Sequence, residues 1–235
     1  MRVVLKLSGE ALASSARDET IDASVVDHLA REIIAAKEAQ DLEICVMVGG
    51  GNIWRGATGA MAGMDRATSD TMGMLGTAIN ALALQDALEQ HGQDTRVLSA
   101  VAMAQVAEPY IRRRAVRHLE KGRVVVFAAG MGSPYFTTDT SAALRTAEME
   151  AELLLKGTHG GVDGVYDADP RLEPNAVRYD EVSFEEVIAK DLRVMDMTAI
   201  TFCKDNGIPI RVFDLMGDKT LRRALSGDAV GTLVK

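Results

Sequence analysis

Short apolar runs alternate along the chain with longer segments in which apolar residues recur every three or four positions. Among the short runs are Val3 to Leu7, Ile44 to Val48, Arg123 to Ala129 and Ala151 to Lys156. Runs of this length predict buried strands, and the helical spacing between them predicts right-handed crossover helices. We therefore expect an α/β fold, a three-layer sandwich with a central, mainly parallel sheet flanked by helices.

Each of these four strands ends in glycine or small residues beside a polar group. Ser8-Gly9 follow the first, Gly49–Gly51 the second, Gly130–Pro134 the third and Gly157-Thr158 the fourth. If the strands are parallel, their ends share the sheet edge at which open α/β sheets bind ligands. Bare backbone N–H groups can cradle an anion there, and Arg55 can clamp a phosphate. The pattern predicts one cleft that binds phosphate groups. The alternative at each glycine is a plain tight turn.

The remaining elements complete a single predicted domain over residues 1–235. Asp22 is a predicted N-cap, and the longest helical pattern runs from Arg66 to Gln90. Further helices are predicted over 109–120, 140–150, 184–188, 194–203 and 221–226, and further strands over 95–99, 207–213 and 232–234. Segment 159–170 is dense in turn residues and predicts a hairpin.

Composition narrows the class of protein. The chain has 235 residues, of which 47% are hydrophobic and 26% charged, as in ordinary globular enzymes. A net charge of −8 argues against nucleic acid or an anionic membrane as a partner, and no apolar run is long enough to span a bilayer. Cys45 and Cys203 lie in apolar surroundings, which indicates reduced core thiols and a cytoplasmic protein.

The common phosphate-binding signatures are absent from the sequence. There is no Walker A loop, GxxxxGK followed by Ser or Thr. The segment GMGSPY, from Gly130 to Tyr135, matches GxGxxG only in its first half, and Pro134 would distort a Rossmann turn. The cleft therefore represents a different kind of phosphate site.

Lys6, inside the first apolar run, is the most informative single residue. Burying an ammonium group is costly unless it meets a negative partner. Because Ser8-Gly9 follow at once, we favour a role in which Lys6 bridges phosphoryl oxygens during group transfer. The alternative is an edge-strand lysine that points to solvent.

Three aspartates each have a structural and a functional interpretation. Asp70 lies in the predicted first turn of the long helix, and spacing alone favours a carboxylate stabilised by the helix dipole. Asp139 follows Thr137-Thr138 at a predicted helix start, where a phosphate could bind and Asp139 could hold a lysine in place. Asp169 precedes a proline and is typical of a turn.

Six blocks in sequence carry a family resemblance. They are KLSGEAL (Lys6–Leu12), GGGNIWRG (Gly49–Gly56), Ala62–Leu75 with MDRATSDTMGML, SPYFTTD (Ser133–Asp139), VDGVYDADP (Val162–Pro170) and IPIRVF (Ile208–Phe213). Together they resemble the bacterial UMP kinases of the amino-acid kinase family. No single block is decisive, but their order along nearly the whole chain makes the match specific.

The resemblance implies a function and an assembly. It implies the amino-acid kinase fold and transfer of the ATP γ-phosphoryl group to UMP, which gives UDP and ADP in pyrimidine nucleotide biosynthesis. Mg²⁺ would be held mainly through the nucleotide phosphates, with no residue of the chain as a dedicated metal ligand. The assembly implied is a homohexamer built from dimers, with GTP as a possible activator and UTP as a possible inhibitor.

Residue roles carried over by motif fall into four groups. The implied catalytic residues are Lys6, Arg55 and Asp139. The implied ATP-binding residues are Lys6, Leu7, Ser8, Gly9, Gly51, Arg55, Thr158, Tyr166 and Asp169. The implied UMP-binding residues are Gly50, Asp70, Met131, Gly132, Ser133, Pro134, Tyr135, Phe136, Thr137 and Thr138. For Asp70, this implied role replaces the helix-start interpretation. Arg96 and Arg123 match positions of an allosteric GTP site, with a surface ion pair as the alternative for each.

The sequence departs from the family pattern at three places. Met131 stands where the family usually has threonine, and the turn at His159-Gly160-Gly161 is longer than usual. The loop Ser14 to Thr20, commonly glycine-rich and associated with GTP activation, reads SSARDET and includes two acids, Asp18 and Glu19. Fewer glycines and two acids predict weak GTP binding or modest activation.

The long helix also suggests how subunits assemble. Its small residues Gly73, Gly76, Ala78 and Ala83 permit close helix approach, so we expect it to pack against its two-fold mate. Two rival functions remain at this stage. One is another phosphotransferase of the amino-acid kinase family, and the other is a nucleotide-binding protein on this fold without turnover.

Overall fold

The structure, a computed structural model, describes residues 1–14 and 19–235. The strands in this part of the chain form one nine-stranded sheet. In chain order they are β1 (Arg2–Leu7), β2 (Glu43–Val48), β3 (Thr95–Ser99), β4 (Glu108–Pro109), β5 (Val124–Ala128), β6 (Leu153–Thr158), β7 (Glu181–Val182), β8 (Ile210–Asp214) and β9 (Thr232–Val234). Their order across the sheet is β4-β3-β5-β2-β1-β6-β8-β9-β7, and only β8 and β9 pair antiparallel.

Helices occupy most of the crossovers between these strands. They are α1 (Ala23–Ala39), α2 (Gly56–Met61), α3 (Arg66–Gln90), α4 (Arg112–Glu120), α5 (Thr138–Glu148), α6 (Phe184–Ala189), α7 (Met197–Asp205) and α8 (Thr220–Leu225). A short 3₁₀ helix, Gly9–Leu12, follows β1. None of the helices described here is long and apolar enough to cross a membrane.

Two hydrophobic cores lie on the two faces of the sheet. Leu5 of β1 belongs to the core shared with α1, α3 and α8, whereas its neighbour Val4 belongs to the core shared with α4, α5 and α7. This division follows from the alternation of side chains along a strand. The prediction of a mainly parallel sheet covered on both faces is confirmed. Cys45 and Cys203 are buried and unpaired, as expected for core thiols, and burial raises the pKa of both.

The four strands predicted to end together are neighbours in the order β5-β2-β1-β6 and are all parallel. Their carboxyl ends therefore share one edge of the sheet, as predicted. Because β1 has a partner on each side, Lys6 lies in a central strand. The alternative of an edge-strand lysine pointing to solvent is wrong.

Helix α3 has the predicted bounds but a different start signal. Its N-cap is Asp65, whose carboxylate accepts a hydrogen bond from the Thr68 N–H at 2.8 Å. Asp70 therefore lies beyond the first turn, and its prediction as a first-turn carboxylate is wrong. The N-cap prediction for Asp22 holds, since its carboxylate accepts a hydrogen bond from the Ser24 N–H at 2.8 Å.

Other predictions failed where local patterns were ambiguous. The helix expected from residue 109 begins at Arg112, because Glu108–Pro109 extends and pairs with β3. Segment 159–170 forms no strand, and Tyr166 makes only an isolated antiparallel bridge to Arg178. Helix α2 was not predicted, since its sequence GATGAM has weak helix propensity. Of the loop predicted over 14–20, residues 15–18 lie outside the described residues.

Candidate active site

Lys6 lies at the centre of the sheet edge, with only 6% of its surface exposed. Its ammonium group forms an ion pair with Asp139 Oδ1 at 2.7 Å. Asp139 thus holds a lysine, as the sequence suggested.

A second lysine meets the same carboxylate. Lys156 of β6 is the register partner of Lys6 on the neighbouring strand, and its Nζ lies 2.7 and 2.9 Å from the two oxygens of Asp139. Sequence reasoning noted Lys156 only as a polar strand end and assigned it no role. The available signal was the run LLLKG, which places a lysine in an apolar strand just as the run around Lys6 does.

The ammonium groups of Lys6 and Lys156 and the carboxylate of Asp139 together carry a net positive charge, largely shielded from solvent. Burial by itself would raise the pKa of Asp139, but the charges of Lys6 and Lys156 outweigh it and hold the pKa at about 2. Burial, followed by repulsion from Lys6, lowers the pKa of Lys156 to about 8. The arrangement is suited to a ligand with negative charge, since an added anion would offset the repulsion between the lysines.

The position of Asp139 is set by the start of α5. Thr137 is the N-cap residue, and its hydroxyl oxygen accepts hydrogen bonds from the N–H groups of Asp139 at 3.0 Å and Thr140 at 3.3 Å. Asp196 in turn accepts hydrogen bonds from the hydroxyls of Thr137 and Thr140 and also caps α7. Asp196 was missed from the sequence, because its partners lie more than fifty residues away.

The glycine turns after β1 and β2 pack directly on each other. A Cβ atom at Gly9 would lie 2.8 Å from both the Gly49 carbonyl oxygen and the Gly51 nitrogen, so no larger residue fits. At Gly50, which is assigned above to UMP, a Cβ would point towards α3 and lie 2.5 Å from the Gly73 carbonyl oxygen. Buried Asn80 of α3 donates a hydrogen bond to the Gly49 carbonyl at 2.7 Å and secures the turn.

Arg55 reaches the same edge from the segment after β2. Its guanidinium group forms an ion pair with Glu10, whose carboxylate also accepts a hydrogen bond from the Ser8 hydroxyl. Leu7, assigned above to ATP, is fully buried in the core and its carbonyl accepts the Gly49 N–H at 2.9 Å. Ser8, Gly9, Gly51 and Arg55 are thus brought together, whereas the Leu7 side chain is not available to a ligand.

A cavity of about 590 Å³ opens beside Lys156. The predicted ATP residues Ser8, Thr158, Tyr166 and Asp169 line it. Its apolar lining includes Val162, Val165 and Leu192, which could contact a flat base. A pocket lined both by apolar side chains and by the Lys156 ammonium group suits a nucleotide.

The loop after β5 forms the other side of the edge. It contains Met131 to Thr137, with Tyr135 67% and Phe136 52% exposed. Tyr135 has a left-handed backbone, with φ +73°, which is strained for a residue with a side chain. Its N–H donates to Asp70 Oδ2 at 2.8 Å, and the same oxygen pairs with Arg66. Asp70 therefore joins α3 to this loop.

The two arginines assigned to allostery lie at the opposite end of the strands, Arg96 near the start of β3 and Arg123 directly before β5. Arg96 of β3 pairs with Glu89 at 3.2 Å and more distantly with Glu108 at 3.9 Å. Arg123 lies 3.0 Å from a ring nitrogen of His118 and 3.9 Å from Asp94. The ion-pair interpretation left open for each arginine describes what the structure contains.

Comparison with known proteins identifies this arrangement. The sequence model described as the amino acid kinase family matches residues 1–214 of the chain. This chain belongs to the amino acid kinase family. The expected amino-acid kinase fold is confirmed by the solved structures that it resembles.

Three of these relatives show how far the similarity extends. The UMP kinase of Bacillus anthracis is 36% identical, with a TM-score of 0.94 over 100% of this chain and 95% of that one. The UMP kinase of Ureaplasma parvum is 37% identical, with a TM-score of 0.93 over 100% and 98% of the two chains. The uridylate kinase of Archaeoglobus fulgidus is 28% identical, with a TM-score of 0.73 over the full length of both. Within the amino acid kinase family, the chain is thus similar to UMP kinases along its whole length.

Proposed function

We propose that this protein is a cytoplasmic, single-domain UMP kinase that transfers the γ-phosphoryl group of ATP to UMP. The observation that carries the proposal is the buried Lys6–Asp139–Lys156 cluster at the shared strand edge. Lys156 lines the cavity that the predicted ATP residues share, and Asp139 directly follows the loop assigned to UMP. Similarity to UMP kinases over the whole chain supports the choice of acceptor.

The proposed mechanism is mainly positioning and charge neutralisation. Phosphoryl transfer needs the two nucleotides in line and cations around the moving group. Lys6 and Lys156 supply buried positive charge, Arg55 supplies a guanidinium at the rim, and Asp139 fixes the two lysines. No general base is required, because the phosphate of UMP is already an anionic nucleophile.

We propose that Mg²⁺ binds mainly through the nucleotide phosphates, where it neutralises their charge. Mg²⁺ usually keeps several waters and takes few protein ligands in kinases. In residues 1–14 and 19–235, no three or more His, Cys, Asp or Glu side chains converge as metal ligands. Asp139, the carboxylate at the centre of the proposed site, is already shared by two lysines.

The direct test is a product assay with ATP, Mg²⁺ and each nucleoside monophosphate. We expect UDP and ADP to form in equal amounts with UMP and at a much lower rate with the other acceptors. Phosphorylation of a small carboxylate instead of UMP would indicate another amino acid kinase. Nucleotide binding without any UDP would indicate a protein that lacks turnover.

Asp70 provides a test of how the two nucleotide sites are placed. We expect Asp70→Asn to raise the KM for UMP more than that for ATP, because Asp70 holds the Tyr135 N–H of the proposed acceptor loop. Initial rates with each nucleotide varied in turn measure both constants. A larger rise in the ATP constant would mean that the donor and acceptor sides are reversed.

The structure leaves a different face of α3 available for the expected dimer than the one that carries the small residues. Gly73 and Gly76 face the segment 50–54 of their own chain, and Ala78 is buried. The side chains left exposed on this helix include Leu75 at 49% and Ile79 at 50%. We propose that these apolar side chains, rather than the glycines, contact the two-fold mate, and that the dimers assemble into a hexamer.

An acidic residue at this face should weaken the assembly. We expect Ile79→Asp to lower the mass measured by light scattering at micromolar concentration, because it would bury an unpaired charge. Ile188→Asp, at an exposed isoleucine of α6, is the matched control. A wild-type protein that is a stable monomer would contradict the proposed assembly.

We propose that GTP activates this protein weakly. Arg96 and Arg123 already have acidic neighbours, and Glu19 of the loop 14–20 adds negative charge. The expected coupling free energy is below the usual ~1–3 kcal/mol, whereas UTP could still compete at the UMP site. Initial rates against UMP, with and without GTP, measure the coupling. An activation of about tenfold that disappears in Arg96→Ala would contradict this expectation.

A further inference from the structure

A carboxylate occupies the middle of the edge proposed for phosphates. Glu10 follows β1, and its partner Arg55 follows β2. The Glu10 side chain lies so close to Gly51 that a Cβ there would clash with Glu10 Oε1. The Glu10 carboxylate also interacts electrostatically with His159, which follows β6. Glu10 thus lies where the ends of the three central strands β2, β1 and β6 converge.

The groups that bind this carboxylate are those that would bind a phosphate oxygen. They are the Ser8 hydroxyl, the Glu10 backbone N–H and the Arg55 guanidinium. Partial burial by itself would raise the pKa of Glu10, but these hydrogen bonds and charges lower it, so the side chain is ionised at neutral pH. The Glu10 side chain remains 24% exposed, so it is in contact with solvent.

We propose that Glu10 is a displaceable internal anion, which holds Arg55 and Ser8 until a nucleotide phosphate takes its place. This inference rests on the proposed function, because that function places phosphates at this edge. Two anions cannot share the same donors without strong repulsion. Binding of the polyphosphate must therefore displace the carboxylate, and release of the product lets it return. Glu10 acts as an autoinhibitory contact that weakens polyphosphate binding.

The test measures binding of inorganic tripolyphosphate to the full-length protein by titration calorimetry. Glu10→Gln keeps the shape of the side chain but removes its charge, so we expect binding to tighten about fivefold, the upper range for a partly exposed ion pair. Glu38→Gln, at an exposed position of α1, is the matched control for loss of one negative charge and should leave binding unchanged.

A double-mutant cycle identifies Arg55 as the group for which the two anions compete. In an Arg55→Gln background, the tightening caused by Glu10→Gln should fall below about twofold, because the contested donor is gone. Glu10→Asp, which is too short to hold Arg55 in the same place, should tighten binding in the same direction by a smaller factor. It serves as the second variant if Glu10→Gln does not fold.

The outcomes separate this inference from the proposed function. If UDP forms normally but both Glu10 variants bind tripolyphosphate as weakly as wild type or more weakly, Glu10 is not a competing anion and the inference is wrong. Weaker binding together with a higher Mg²⁺ requirement would mean that Glu10 helps to hold the metal, which also overturns it. If wild type binds neither tripolyphosphate nor ATP and forms no UDP, the proposed function itself fails.

Discussion

Lys6→Ala is expected to lower kcat/KM by on the order of a hundredfold or more and to leave the fold intact. The rate falls because Lys6 supplies buried positive charge at the point where the phosphoryl group would move. The fold persists because the change leaves Lys156 and Asp139, which lie 2.7 Å apart in the structure, as a neutral ion pair. Coupled assays of ADP release measure the rate, and denaturant unfolding measures the stability.

Two further variants sharpen this test. Lys6→Met fills the space that alanine leaves empty, so it separates loss of charge from loss of packing. It should also raise the pKa of Lys156, because repulsion from Lys6 is one of the causes that lower it. Lys121→Ala, at an exposed position after α4, controls for removal of one positive charge. Near-normal turnover in a folded Lys6 variant would remove Lys6 from the mechanism.

Asp139→Asn is expected to damage stability and activity together. It leaves two buried ammonium groups on neighbouring strands with no carboxylate between them. Breaking a buried ion pair from one side costs about 3–5 kcal/mol of unfolding free energy, unless one lysine gives up its proton. Either response misplaces or discharges a cation, so turnover should fall by about a hundredfold or more.

The two substitutions thus differ in a way that the cluster predicts. Lys6→Ala lowers the net charge of a crowded positive site, whereas Asp139→Asn raises it. Unfolding in urea should therefore reveal a much larger loss of stability for Asp139→Asn. Asp41→Asn, in the exposed turn before β2 at the opposite end of the sheet, is the matched control. Equal stability of the two active-site variants would show that the charges are not coupled as described.

Much of the fold and part of the candidate site could be predicted from the sequence. The bounds of α3, β3 and β9 agree with the predicted ranges, because each pattern is strongly periodic or sharply bounded by turn residues. Lys6 could be identified because an isolated charge in an apolar strand is costly by itself. The prediction of a hairpin in 159–170 was wrong, because turn residues indicate a change of chain direction but not which strands pair.

The sequence by itself determined most of the strands and helices, and that glycines and polar residues follow several strands. These are local properties, governed by periodicity over a few residues. Only the tertiary structure decided that β6 lies beside β1, which brings Lys156 level with Lys6 and puts Asp139 between them. It also decided that Gly50 faces α3 and that Glu10 holds Arg55. Those contacts depend on strand order and on the packing of distant segments, which no local pattern specifies.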